Sequence, residues 1–209
     1  MIDINKKALA ACAMLGKPFD EPTKRLILEF INSYRVKFIK DTIASNKRFP
    51  LGVIQTIYKR IDKLDIFDPY YISNEVRCLK TVEPISIPIR NTLDSPFIHI
   101  SSPSGQITFA NSELNLVRVN SKGKFTNNNR YVYDNYLYLY SNDPSLLTFN
   151  KVKIVGAFED PFVVDDEGRV HYDIFNYPLP EDFSNIIIRE IITNFFKVPY
   201  DDKEVLIDE

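Results

Sequence analysis

The feature that most constrains this chain is a long amphipathic stretch from Asp20 to about Lys47. Its apolar residues recur at gaps of three and four, which places them on one stripe of an α-helix. Asp20 is a suitable N-cap, and Pro22 fits the first helical turn. At about 1.5 Å per residue the helix is roughly 40 Å long, so other elements must pack along it. The stripe comprises Leu26, Ile27, Phe30, Ile31, Tyr34, Phe38 and Ile39.

Only one later segment is comparably apolar and helical, from Phe183 to Phe196. We predict that the two helices pack together, because neither stripe has another partner of matching length. We expect contacts between two sets of residues: Leu26, Phe30 or Tyr34, and Ile187, Ile191 or Phe195. Because Ile188, Ile192 and Phe196 extend the apolar face around most of the helix, part of it should face another subunit.

The chain between these helices changes period near Tyr70, from helical spacing to short alternating runs. Before that point we predict two further helices, Lys6–Leu15 and Gly52–Leu64. The predicted fold class is α+β: a helical module from the N-terminal helices and a C-terminal helix, with an inserted small antiparallel β-sandwich or barrel. The predicted parts are 1–69 (N-terminal helical part), 70–157 (inserted β domain) and 158–209 (turn, helix and acidic tail packing on the N-terminal helices).

Roughly eight short strands separated by turn residues indicate the sandwich or barrel. The clearest hairpin pairs Arg130–Tyr133 with Tyr136–Tyr140, because Asp134 and Asn135 tolerate the positive φ of a tight turn. Leu114–Val119 is a further strand candidate, and Lys151–Val155 is predicted to be the last strand.

Charge is divided unevenly along a chain whose net charge is only −2, which argues against a protein that coats nucleic acid. Between Pro22 and Leu64 there are ten Lys and Arg but only three acidic residues. From Phe158 onward there are fourteen acidic residues but only four basic ones. The two regions are either ordinary solvated faces, or the basic region of one subunit docks on the acidic region of its neighbour. The candidate subunit-interface residues are Arg25, Arg35, Lys37, Lys40, Ile188, Ile192 and Phe196.

The residues that catalysis or cofactor binding would need do not converge in this sequence. There is no Gly-rich phosphate loop, and His99 and His171 are the only histidines. Asp160 and the acidic run 165–167 could bind a hard cation, but a solvated acidic turn explains them better. Cys12 and Cys78 form no metal or redox motif. We therefore predict no catalytic, cofactor-binding or metal-binding residue, and no membrane span.

The tyrosine ladder at 131, 133, 136, 138 and 140 has two interpretations. Tyrosines at period two are good strand formers that pair well across a hairpin. They could instead stack on a sugar or present a contact surface. The second interpretation leads to an alternative function, a carbohydrate- or peptide-binding β module with a helical oligomerisation arm. An enzyme is the weakest hypothesis, because the polar residues that catalysis needs do not converge.

Three stretches resemble the head-to-tail ring or adaptor proteins of crAss-like tailed bacteriophages. The first is Asp-x-x-x-Lys-Arg (20–25) continuing into Tyr34-Arg35-x-x-Phe38-Ile39 and then Gln-Thr-Ile (55–57). The second is Ile-Val-Gly-Ala-Phe-Glu-Asp-Pro (154–161). The third is Tyr172-Asp173 followed by Tyr-Pro-Leu-Pro (177–180), which opens the C-terminal helix. The middle of the chain resembles the family only in being a predicted β region.

The resemblance implies a virion structural protein without catalytic residues. It implies a homo-oligomeric connector ring of about twelve copies below the portal, with DNA passing through its channel. The implied partners are further copies of the chain, the portal protein and other tail or ring proteins, with no membrane and no cofactor. The protein would be made in the bacterial host cytoplasm and become part of the virion at the head–tail interface.

Overall fold

The computed structural model describes residues 2–46, 48–50, 52–90, 95–121, 129–143, 149–161, 163–164, 170–171 and 177–198. The chain divides into two compact units. The helical unit comprises Met1–Ile54 together with Glu159–Glu209, and the barrel unit comprises Gln55–Phe158. The predicted acidic run 165–167, the residues Tyr172 and Asp173, and the acidic tail 200–209 lie outside the described residues.

The elements are four α-helices and nine strands over the described residues, in an α+β arrangement that confirms the predicted fold class. The helices are α1 (Ile4–Met14), α2 (Glu21–Asn46), α3 (Leu114–Ser121) and α4 (Glu181–Glu190), the last continued by a π-helical turn (Ile191–Phe195). The strands are β1 (Gln55–Lys63), β2 (Arg77–Thr81), β3 (His99–Ser101), β4 (Thr108–Asn111), β5 (Arg130–Asp134), β6 (Tyr136–Ser141), β7 (Lys151–Gly156), β8 (Val163–Val164) and β9 (Val170–His171).

Helix α2 buries a single row of residues that recur every four positions, at 23, 27, 31, 35, 39 and 43. The neighbouring rows, which include Phe30 and Phe38, are half-buried, so the predicted stripe is largely correct. The centre of the row is Arg35, which is not part of the predicted stripe. The reason for this difference lies in the contacts that Arg35 makes, described below.

The predicted packing of the two chain ends is confirmed within the helical unit. The rings of Phe30 and Phe195 lie 4.2 Å apart, and those of Phe38 and Phe183 lie 3.8 Å apart, measured between centroids. One hydrophobic cluster unites α1, α2 and the C-terminal helix, with its most buried residues being Ala8, Ala11, Ile27, Ile31, Leu179, Ile191 and Ile192. Helix α1 ends where predicted, since Gly16 adopts φ 68°, a conformation that favours glycine.

The barrel unit is a closed barrel of seven strands in the order β1-β2-β6-β5-β4-β3-β7. Neighbours pair antiparallel except β4 and β5, which are parallel with Ala110 opposite Arg130. Parallel neighbours cannot be joined by a hairpin, and α3 lies in the connection that crosses between them. The predicted last strand matches β7, but the two-stranded sheet β8–β9 follows it in the helical unit.

The predicted helix Gly52–Leu64 is wrong, because the segment forms β1. Ile57, Lys59 and Ile61 are buried while the residues between them are exposed, which is the alternation of a strand. A lysine occupies the middle buried position, where its Nζ lies 2.7 Å from Oε2 of Glu83. The charge interrupted the apolar alternation in the sequence. Tyr58, which the helical interpretation placed on the apolar face, is 51% exposed.

The predicted strand Leu114–Val119 is also wrong, because the residues belong to α3. Val117 is fully buried and Leu114 packs partly against the same cluster, so the pair follows the spacing of a helix turn. Leu116, which a strand would have placed on the same side as Leu114, is 54% exposed.

The tyrosine hairpin is confirmed as β5 and β6, with Tyr131 opposite Leu139 and Asp134 opposite Tyr136. The turn is tighter than the predicted pair of residues, since Asn135 alone lies between the strands, at φ 55°. Tyr138 and Tyr140 are buried although they lie on the face opposite Leu137 and Leu139. They are covered by the chain from Leu64 to Val76 and by α3, which together form an outer hydrophobic layer.

Tyr70 is central to this outer layer. Its ring stacks on that of Tyr138 with centroids 3.9 Å apart, and its hydroxyl donates a hydrogen bond to the carboxylate of Asp134. That hydrogen bond, with a smaller contribution from burial, raises the pKa of Tyr70 to about 12. The phenol is therefore held neutral in the folded state well above the pH at which an unfolded tyrosine ionises.

We predict that Tyr70→Phe lowers the free energy of unfolding by about 1 kcal/mol near pH 8, because the variant loses one hydrogen bond. The difference between parent and variant should shrink as the pH rises from about 10, the ordinary tyrosine pKa, toward 12. The sign follows from the raised pKa, since stabilisation by the neutral phenol is complete below pH 10 and is lost above it. Urea unfolding at several pH values measures both effects.

A matched control is Tyr58→Phe, which removes the hydroxyl of an exposed tyrosine on β1. This control should leave the unfolding midpoint at pH 8 unchanged. A Tyr70→Phe difference that stayed constant up to pH 12 would contradict the assigned hydrogen bond.

Candidate subunit interface

Arg35 does not belong to a surface, because its side chain is fully buried in the helical unit. Its Nε donates a hydrogen bond of 2.9 Å to the carbonyl oxygen of Pro178, and its guanidinium carbon lies 5.6 Å from the centre of the Tyr177 ring. Burial lowers the pKa of Arg35, while Tyr177 and Asp160 oppose that shift. Arg35 thus fastens the C-terminal segment to α2.

Two further contacts hold the same segment. One turn before Arg35, the amide of Asn32 donates to the carbonyl of Glu159 at 3.1 Å and accepts from the hydroxyl of Tyr177 at 2.9 Å. The backbones of Ile2 and Tyr177 exchange two hydrogen bonds of 3.2 and 3.0 Å. The start of the chain, the long helix and the segment before α4 are therefore tied together at one place.

The charge difference between the two ends of the chain is partly neutralised inside the subunit. Lys40 pairs with Glu159 at 2.6 Å, and Lys7 lies 3.7 Å from Glu181. Among the described residues, Arg25 and Lys37 take part in no ion pair, and both are exposed on the outer row of α2. The basic surface of α2 that a neighbour could reach is therefore smaller than the sequence indicates.

The apolar interface candidates are likewise divided between buried and more exposed positions. Ile188 and Ile192 are 5% and 1% exposed and belong to the core of the helical unit, whereas Phe196 is half-buried. The apolar side chains that this helix leaves exposed are Ile186 and Phe195. The helix therefore has a buried apolar side and two exposed apolar side chains, whereas Arg35, Ile188 and Ile192 offer almost no accessible surface to another subunit.

Most side chains of the tyrosine ladder are buried or make contacts within the barrel unit. Tyr131, Tyr138 and Tyr140 are buried, and Tyr140 donates a hydrogen bond of 2.9 Å to the carbonyl of Tyr70. The Nζ atom of Lys80 lies 4.4 Å from the Tyr136 ring centre and 3.2 Å from the Asp68 carboxylate. These contacts favour the structural interpretation of the ladder over a platform that binds sugars.

The residues that chemistry would require stay apart. His99 begins β3 and is exposed. The thiols of Cys12 and Cys78 are free and buried, and burial raises the pKa of each. Within the described ranges, no group of three or more His, Cys, Asp or Glu is placed to hold a metal ion. None of the helices in that part of the chain is long and apolar enough to cross a membrane.

The motifs that carried the phage resemblance have structural roles in both units. Tyr177 and Leu179 insert into the core of the helical unit. Pro178, which lies between them, supplies the carbonyl that Arg35 binds. Helix α4 begins after Pro180. In the barrel unit, a Cβ atom on Gly156 would lie 3.5 Å from the Phe97 ring and 3.7 Å from the Phe158 ring. A small residue therefore lets both aromatic rings approach the end of β7.

Residues 18–205 match the family described as phage tail ring protein 2. The chain belongs to this crAss-like phage family. The matched range includes α2, the whole barrel unit and the C-terminal helix. No curated protein matches the chain. Membership indicates a structural role in the phage tail, and a ring protein associates with further copies of itself and with other tail components.

Sequence reasoning missed the aromatic side chains that are most exposed among the described residues of this ring protein. Phe19, in the turn before α2, is 95% exposed, and Phe67, in the chain that covers the barrel, is 88% exposed. The available signal was an apolar pair enclosed by acidic residues in Asp-Ile-Phe-Asp (65–68). The turn residues around this apolar pair concealed it as a possible contact site.

We predict that Arg35→Ala lowers the free energy of unfolding by roughly 2–5 kcal/mol. The substitution opens a cavity in the buried row and leaves the carbonyl of Pro178 without its donor. Lys37→Ala, an exposed cation on the same helix, should change stability by less than about 0.5 kcal/mol. Urea unfolding of the two variants measures the contrast, and equal effects would show that Arg35 is not a structural clamp.

Proposed function

We propose that this tail ring protein is the subunit of a homo-oligomeric connector ring of about twelve copies. The ring lies below the portal, contacts the portal and further tail or ring proteins, and forms part of the channel through which DNA passes. It has no catalytic activity and does not read DNA sequence. The observation that carries the proposal is membership of the ring family over residues 18–205.

The organisation of the subunit supports this function. We propose that the barrel unit is a domain inserted into the helical module, which both chain ends build. A ring needs a heterologous contact, in which one patch of each copy meets a different patch of the next. Two units of unlike structure supply unlike surfaces. Because most of the tyrosine ladder is buried or in contact within the barrel unit, the carbohydrate-binding alternative has little support.

The first test is the mass of the purified, full-length protein. We expect a closed oligomer of about twelve times the 24.3 kDa subunit mass, with ring-shaped class averages in cryo-electron microscopy. A ring of the same diameter should be found between head and tail in virions. A protein that stayed monomeric and bound glycans on an array would contradict the proposal and favour the alternative.

A second prediction concerns charge at the subunit contact, where the exposed cations of α2 meet acidic residues of the neighbour. Reversing Arg25 and Lys37 to Glu should weaken ring formation at low salt. The deficit should diminish at high salt, because the screening length falls from about 10 Å at 0.1 M to about 3 Å at 1 M. Size-exclusion chromatography with light scattering measures the oligomer at each salt concentration.

The matched control reverses Arg60 and Lys151 to Glu, which changes net charge equally. These two exposed residues lie opposite each other on β1 and β7, so one like-charged pair replaces another. Deleting the acidic residues 200–209 should reproduce the salt-dependent deficit. If the α2 variant assembled like the parent at all salt concentrations, apolar contacts alone would have to close the ring.

A further inference from the structure

Ile66 and Phe67 form an exposed apolar protrusion on the barrel unit. Ile66 is 62% exposed and Phe67 is 88% exposed, although the chain around them packs inward. Leu64 and Val76 are buried in the outer layer of the barrel, and Tyr70 and Tyr71 pack partly against it. We call the exposed pair Ile66–Phe67 the apolar knob.

The turn that presents the apolar knob is held by hydrogen bonds on both sides. The carboxylate of Asp65 accepts from the backbone N–H of Phe67 at 2.9 Å, and the N–H of Asp68 donates to the carbonyl of Asp65 at 3.1 Å. The carboxylate of Asp68 accepts from the N–H of Tyr70 at 2.9 Å and lies 3.2 Å from Nζ of Lys80. A pre-ordered loop loses little conformational entropy when it binds, which favours association.

This arrangement differs from ordinary surface exposure. Single exposed apolar side chains are common on proteins and need no explanation. Here two large neighbours project from a fixed turn, while the acids beside them form the turn instead of covering the apolar atoms. Exposed aromatic anchors of this kind are typical of the centres of protein interfaces.

The helical unit carries a recess that could receive the apolar knob of a neighbour. A groove of about 510 Å³ lies between α1 and α2 and has Leu28 among its lining residues. Lys24 and Arg25 line it together with Glu21 and Glu29, and Lys24 lies 3.4 Å from Glu21. Of the two other charged residues of the groove, Arg25 and Glu29, Arg25 is the one whose charge is opposite to that of the exposed Asp65 carboxylate beside the apolar knob.

We propose that the apolar knob of one copy inserts into the α1–α2 groove of the next copy and forms part of the contact that closes the ring. The partner is a second copy of this chain, since family membership implies self-association and a ring requires two unlike patches on each copy. This inference rests on the proposed ring function. Asp62 and Asp65 beside the apolar knob disfavour insertion into an anionic lipid surface.

The first experiment replaces both residues of the apolar knob with serine in the full-length chain. Because both side chains are exposed, the variant subunit should fold like the parent, which circular dichroism measures. Self-association should weaken by roughly tenfold or more, the loss expected when a central interface aromatic is removed. The control is Leu116→Ser, which removes a comparably exposed apolar side chain from α3 of the same unit.

The outcomes separate this inference from the proposed function. If the parent stays monomeric, the ring function itself fails and this inference fails with it. If the parent forms rings and the double serine variant forms them equally well, only the apolar knob is excluded from the contact. If the variant and Leu116→Ser lose assembly to the same extent, the effect is not specific to the apolar knob, and the inference is overturned.

The second experiment identifies the receiving surface. Phe67 is replaced by the photo-crosslinking residue p-benzoylphenylalanine, and assembled rings or virions are irradiated. We expect a covalent dimer of this chain, with mass spectrometry placing the crosslink on α1 or α2. A crosslink to a different tail protein would overturn the claim that a second copy is the partner. A crosslink to another copy outside α1 and α2 would overturn the groove as the receiving surface.

Discussion

The buried contact between Arg35 and the Tyr177–Pro178 segment is the constraint on which the organisation of this ring subunit depends. It joins the two ends of the chain, and Asn32 adds a second attachment at Glu159. A unit inserted into another, as we propose for the barrel unit, requires its two connections to lie close together. The barrel meets the same requirement from its own side, because Gln55 and Gly156 are paired across β1 and β7. The barrel unit therefore begins and ends at neighbouring strands, because its last residue, Phe158, follows shortly after Gly156.

The sequence predicted those features that depend on regular apolar spacing. The long helix, its packing against the C-terminal helix and the tyrosine hairpin were all recognisable. Two of the errors occurred where a charge occupies a buried position, as Lys59 does in β1 and Arg35 does in α2. Each charge is stabilised by a partner distant in the chain, Glu83 for Lys59 and the carbonyl of Pro178 for Arg35. A periodicity argument considers one segment at a time and cannot detect such a partner.

The candidate interface residues show even more clearly that sequence patterns do not reveal contacts between distant segments. Charge and hydropathy identified Arg35, Ile188 and Ile192 as surface candidates, yet their side chains serve the core of the helical unit. The misassigned segment Leu114–Val119 has a related cause, since its β-branched residues favour a strand locally while burial of Val117 beside the barrel favours a helix. Exposure is a property of the folded chain, so periodicity and charge alone do not tell which of these side chains a neighbour could reach.

A physical reason favours the location that we propose for the ring contacts. The helical unit uses its most apolar residues to join the chain ends, so a subunit contact built on the same residues would compete with folding. Exposed turns on a rigid scaffold avoid that conflict, because their side chains contribute little to the stability of the subunit that carries them. Apolar atoms in such turns supply burial at about 25 cal/mol per Å², before the costs of association are subtracted. The few cations left exposed on α2 can then set the orientation of neighbouring copies, which is the main contribution of charge at an interface.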